Sequence, residues 1–94
     1  MTMLDDCIDE RSLSKLRWRC RRGLLENDLF IERFFQRYSH TLTTRQANAL
    51  GNLMDLSDND LLDLHLARKV LADIDGSLDR TDVQEVLNML RQPL

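Results

Sequence analysis

The chain has 94 residues, 43 % of them apolar and 31 % charged, with a formal net charge of −3. At this length one domain with a modest core is expected, and a deep enclosed active site is not. Three glycines, one proline and a leucine-rich composition poor in β-branched aliphatics favour helix over sheet.

The charge is segregated. Residues 1–10 carry four acids and no base, residues 11–22 carry six bases and no acid, and residues 41–94 carry nine acids against five bases. An acidic N-terminal arm over 1–10 followed by a single helical domain over 11–94 is the expected organisation, with one basic end on an acidic body. The acidic start contains no apolar run, so neither a secretory signal nor a mitochondrial presequence is expected. No stretch of about 18 apolar residues offers a membrane span. Cys7 and Cys20 form no CxxC pair and have no histidine cluster beside them, which argues against a metal site and a disulfide scaffold. Two free thiols fit a reducing, cytoplasmic compartment.

Leu13, Leu16, Cys20 and Leu24 recur at helical spacing and predict a first helix, capped by Asp9 or Ser12 and closed by Gly23. A second helix is expected from Leu25 to Tyr38, where Ile31, Phe34, Phe35 and Tyr38 hold the i, i+3, i+4, i+7 pattern. Thr43-Thr44-Arg45-Gln46 reads as a capping box that starts a third helix through Ala47, Leu50, Leu53 and Met54. Ser57-Asp58 stops it and caps a fourth helix carrying Leu61, Leu62, Leu64 and Leu66. Asp75-Gly76-Ser77 is a turn, and a last helix presents Val83, Val86, Leu87 and Leu90 on one face before Pro93. The expected fold is therefore all-α, a compact bundle of about five short helices. Its predicted core includes Leu16, Leu29, Ile31, Phe34, Phe35, Leu50, Met54, Val86 and Leu90.

The segment from Leu71 to Asp82 imitates a calcium loop around Gly76, with Asp73, Asp75, Asp79 and Asp82 at ligand positions. Leu71 stands where the first carboxylate belongs, and Asp82 is short for the bidentate position, so an acidic turn is the better account. His40 and His65 stand alone with no nucleophile motif near them, and each reads as a surface residue. No glycine-rich phosphate loop and no catalytic constellation is present. The basic segment has the charge for a phosphate backbone. Yet a chain with pI near 5.2 and no aromatics interleaved beyond Trp18 suits nucleic acid poorly.

Arg21-Arg22-Gly23-Leu24-Leu25-Glu26-Asn27-Asp28 has two explanations. Helix-end electrostatics accounts for each residue type: arginines at a C-terminal end, a glycine turn, and acids at the next N-terminal end. Alternatively it is a working surface. Trp18 lies about 200° from Leu16 around the first helix, away from the apolar stripe, and Arg21 and Arg22 follow it at i+3 and i+4. A tryptophan beside two arginines has the composition of an interface hot spot. The bland alternative for Trp18 is packing on the second helix through Leu25.

"LRWRCRRGLLENDLFIERFF" resembles the signature of the succinate dehydrogenase FAD assembly factor family, whose hallmark is an Arg-Gly-x-x-Glu motif often extended to an Asp two residues on. Here the motif is Arg22-Gly23-Leu24-Leu25-Glu26, extended to Asp28, and Phe34 and Phe35 match the following helix. "LSDNDLLDL" from Leu56 to Leu64 is similar to the family's acidic turn and fourth helix, although many members carry an aromatic at Leu64. The resemblance covers about residues 11–90. It implies a five-helix assembly factor, not itself an enzyme, that binds the flavoprotein subunit of succinate dehydrogenase or fumarate reductase. Such a factor promotes covalent FAD attachment while the client performs the chemistry. It implies partner contacts at Arg22, Gly23, Glu26 and Asp28, to which composition adds Trp18 and Arg21. No catalytic residue, no metal and no stably bound cofactor is expected, because FAD belongs to the client. Neither nucleic acid nor membrane is expected as a partner, and the chain is expected to be a monomer. The competing expectation is a small regulatory module, antitoxin-like or nucleic-acid-binding through its basic first helix.

Overall fold

The computed structural model describes residues 6–21 and 23–92. Arg22, the first five residues of the acidic arm, Pro93 and Leu94 lie outside the described residues. The helices are α1 (Glu10–Arg19), α2 (Leu25–Tyr38), α3 (Thr44–Met54), α4 (Asp58–His65), α5 (Leu71–Ile74) and α6 (Thr81–Arg91), with a 3-10 turn at Gly76–Leu78. Among the described residues there is no strand, only an isolated antiparallel bridge between Cys7 and Thr43. The Cα radius of gyration, 12.6 Å, is that of one compact body of this length.

α3 and α6 make the most extensive helix pair, and α2 and α4 pack on α6 and on each other. Each contributes one apolar face: Ile31, Phe34 and Phe35 from α2, Leu50, Leu53 and Met54 from α3, Leu61 and Leu64 from α4, and Val83, Val86, Leu87 and Leu90 from α6, all buried. Phe34 is the hinge of this packing, edge-on to Phe35 at 5.4 Å and tilted against Tyr38. Leu16 is only half-buried against that core. Leu29, placed in the core by sequence, is 45 % exposed. At 100° per residue it stands about 200° from Ile31, on the opposite side of α2, so its apolar character cannot serve the core.

Local chemistry sets the boundaries. Asp9 caps α1 by accepting from the Ser12 N–H at 2.7 Å. Thr43 and Gln46 close the anticipated capping box, Gln46 N–H donating to Thr43 Oγ1 and Thr43 N–H to Gln46 Oε1. Ser57 caps α4 through the Asp60 N–H. α4 ends in a Schellman arrangement: Arg68 N–H donates to Asp63 O and Ala67 N–H to Leu64 O, with Ala67 at φ +58°. α5, a single turn, is one helix more than the sequence pattern predicted; its four residues are too few to show a period.

Two aspartates of the calcium-like segment, Asp73 and Asp75, cap helical turns. Asp73 Oδ2 accepts from the Val70 N–H, and Asp75 Oδ1 accepts from the hydroxyl and N–H of Ser77. Leu71 is buried. The Ser77 hydroxyl, then its N–H, hold the Asp75 carboxyl below its ordinary pKa. At Asp9 the Ser12 N–H leads the same downward shift.

Three outcomes follow from these contacts. Phe34→Ala should lose about 3–5 kcal/mol in denaturant unfolding, whereas Leu29→Ala should stay within about 0.5 kcal/mol. Ala67→Gly should raise stability by up to about 1 kcal/mol, because glycine adopts the left-handed conformation without a Cβ penalty. The folded pKa of Asp9 is depressed, so its cap stabilises fully above the unfolded carboxylate pKa and is lost as pH falls through the lower folded value. The stability gap between wild type and Asp9→Ala should therefore narrow below about pH 4.

Candidate functional site

The turn after α1 forms where the core takes hold of the chain. α1 has no fully buried residue of its own. It is held by half-buried Leu13 and Leu16 and by Arg19, whose Nη2 donates to Gly51 O at 3.2 Å and pairs with Asp55 at 2.9 Å. Gly51 makes this possible, since a Cβ there would come within 2.9 Å of Arg19 Nη1. Cys20 then drops into the core, fully buried, and its N–H still reaches Leu16 O. The helix therefore stops at Arg19, one turn earlier than the expected glycine stop. Gly23 is left to reverse the chain at φ +86°, with no atom within 4 Å of where a Cβ would stand. Leu24, counted in the first helix's stripe by its spacing, is the N-cap residue of α2.

Asn27, in the first turn of α2, fixes the far side of the turn. It is fully buried. Its Nδ2 donates to the Asp58 carbonyl at 3.0 Å, which leaves Oδ1 facing His65 Nδ1 at 3.0 Å. Oδ1 can only accept, so His65 carries a proton on Nδ1 and donates it. His65 is buried, not on the surface as its isolation in sequence suggested, and its ring lies 4.7 Å from Phe30. One amide thus ties the start of α2 to both ends of α4. Sequence reasoning passed over Asn27 because polar burial has no periodic signature.

Around this anchored turn the predicted residues separate. Trp18, Arg21 and Asp28 line one open groove of about 660 Å³ between α1 and α2, together with Ser14, Arg17, Cys20, Leu25, Ile31, Glu32 and Phe35. Trp18 is 74 % exposed and Leu25 69 %, so neither packs the other away. The Arg21 guanidinium stacks over the Trp18 ring at 5.7 Å. Gly23 and Glu26 are exposed but outside the groove lining, and Arg22 lies outside the described residues. A second cleft of about 840 Å³ lies between residues 6–9, α1 and α3, but its arginine, Arg19, is already held by Gly51 and Asp55. No cluster of three or more metal-ligating side chains occurs among the described residues.

What the arrangement offers is contact area. An exposed tryptophan under an arginine, two exposed leucines and charges of both signs surround a backbone held rigid from beneath, which is the composition of a binding hot spot.

Comparison with known proteins gives matches along most of the chain. The family model described as flavinator of succinate dehydrogenase matches residues 14–93. A protein of Ralstonia nicotianae named FAD assembly factor SdhE is 51 % identical over 83 residues, which cover 88 % of this chain and 84 % of that protein. Proteins of the same name from Legionella pneumophila (strain Lens) and Coxiella burnetii are each 41 % identical, covering 57 % and 52 % of this chain and 68 % and 60 % of their own lengths. No solved structure gives a significant match.

Asn27→Ala should cost about 1–3 kcal/mol in chemical unfolding, since it strips a hydrogen-bond partner from the part-buried Asp58 carbonyl and from the buried His65 ring. Gly23→Ala should cost about 1–2 kcal/mol through backbone strain alone.

Proposed function

The chain belongs to the flavinator of succinate dehydrogenase family, and we propose that it is an assembly factor that binds the flavoprotein subunit of succinate dehydrogenase, or of the related fumarate reductase. Binding promotes covalent attachment of FAD to that subunit. The bond-forming chemistry belongs to the flavin and the client, which flavinylates itself. The factor contributes binding energy, which populates the client conformation competent for attachment. It acts as a monomer in the cytoplasm, where its two free cysteines suit a reducing compartment. No helix among the described residues is long and apolar enough to cross a membrane.

The supporting observation is the exposed Trp18–Arg21–Leu25 surface beside the Gly23 turn, anchored by a buried amide rather than built around a reactive group. The groove does not suit FAD itself. It is open, and Asp28 and Glu32 on its lining offset the attraction that Arg17 and Arg21 have for a pyrophosphate. No glycine-rich loop in the sequence compensates. We therefore assign FAD to the client.

The basic first helix offers little to nucleic acid. Arg17 lies over the Phe35 ring, Arg19 is bound to Asp55 and Gly51, and Arg21 covers Trp18. Arg19 is thus withdrawn into the chain, and Asp28 and Glu32 share the groove with Arg17 and Arg21, which disfavours a continuous phosphate-binding stripe.

The test uses Arg22→Ala and Glu26→Ala in cells lacking the wild-type factor, with covalent flavin on the flavoprotein subunit read by in-gel fluorescence. A residue that only tuned a helix end would cost about 0.3–1 kcal/mol of stability and leave flavin loading intact. The expected result is two variants with near-normal melting curves that fail to restore loading. Normal loading by both would reduce the motif to a helix joint.

A further inference from the structure

The groove between α1 and α2 has a direction. Arg17 and Arg21 stand on its α1 side, while Asp28 and Glu32, one helical turn apart, stand on its α2 side. Cys20, Ile31 and Phe35 form the floor, each less than a tenth exposed, and Trp18 and Leu25 stand exposed along the same groove. Among the described residues, no ion pair joins Arg17 or Arg21 to Glu32 across the gap. Arg17 is turned inward over Phe35, its guanidinium 5.4 Å from the ring centre, which brings a cation directly above the apolar floor.

A surface of this kind discriminates. Apolar area gives contact energy to any hydrophobic segment, but walls of opposite sign favour one charge arrangement and oppose its mirror image. We infer that the groove receives a segment of the flavoprotein subunit in which an apolar side chain packs against the exposed Trp18 and Leu25, flanked by a carboxylate toward Arg17 and Arg21 and by a cation toward Glu32. This rests on the proposal that the flavoprotein subunit is the client. It adds Arg17 and Glu32 as residues that set the orientation of that client, beyond the motif itself. The groove is open to solvent, so an extended or helical segment can lie along it with its backbone still in water.

Titration of the purified apo flavoprotein subunit with wild type, Arg17→Glu, Glu32→Lys, Glu32→Gln and Glu26→Ala tests the inference, with a melting curve for each variant. Arg17→Glu and Glu32→Lys are expected to weaken binding about five- to tenfold, mostly through slower association, with the loss shrinking as salt rises. Glu32→Gln, which keeps the shape and removes only the charge, should lose about half as much on a logarithmic scale and cannot be dismissed as misfolded. A p-benzoylphenylalanine in place of Ser14, at the groove edge, should cross-link to a client segment that carries an apolar residue between an acid and a base. If wild type binds, Glu26→Ala weakens binding and the groove variants match wild type, the groove is overturned and the client proposal stands. If wild type does not bind the apo flavoprotein subunit, both fall. A wild-type dimer that dissociates on Glu32→Lys, with client binding unchanged, overturns the inference in favour of a second copy of this chain.

Discussion

The side-chain amide of Asn27 is the constraint on which the α1–α2 turn depends. It is fully buried and bridges the first turn of α2 to the Asp58 carbonyl at the start of α4 and to His65 at its end. A buried amide is costly unless satisfied, so its partners over-determine where α2 begins. Once that start is fixed, the reversal at Gly23 has only the short span from buried Cys20 to Leu24 in which to occur. The lateral position of α1 is fixed separately by Arg19 on α3. Two polar contacts, one at each side of the turn, thus define a groove that hydrophobic burial alone would leave loosely specified.

This division explains why exposed apolar residues gather there. The core is built by α2, α3, α4 and α6 together with Cys20, Leu42, Leu71 and Leu78, without any contribution from Trp18, Leu25 or Leu29. Leu25 and Leu29 are one turn apart on the outer side of α2, and Trp18 shares the groove with Leu25. Apolar side chains that the fold does not need, presented on a backbone that the fold holds still, are available for a partner at small ordering cost. The surrounding charges then act on orientation and encounter more than on affinity.

Much of this architecture is legible in the sequence. The Ile31–Phe34–Phe35 stripe, the Thr43–Gln46 capping box and the Ser57 cap are local patterns with one dominant physical meaning, and each recurs in the structure. What escapes is non-local or breaks a local rule. The end of α1 is decided by the burial of Cys20, not by the later glycine. α4 stops on Ala67 in a conformation that usually announces itself with glycine. α5 is shorter than one period of any pattern. Leu29 is the instructive miss, because helical geometry alone sets it opposite Ile31. Of the candidate site, the cluster around Trp18 and Arg21 could be anticipated from composition. Asn27 and His65 could not, since only the tertiary fold brings residues 27, 58 and 65 together.

The proposed client-binding surface is the α1–α2 turn and groove. Backbone amide hydrogen exchange of this chain, with and without the apo flavoprotein subunit of succinate dehydrogenase, measures it most directly. New protection is expected only in the segment from Trp18 to Glu32, with exchange unchanged across Gly76–Glu85 on the acidic side. Protection centred on that acidic segment, or none anywhere at saturating client, would contradict this assignment.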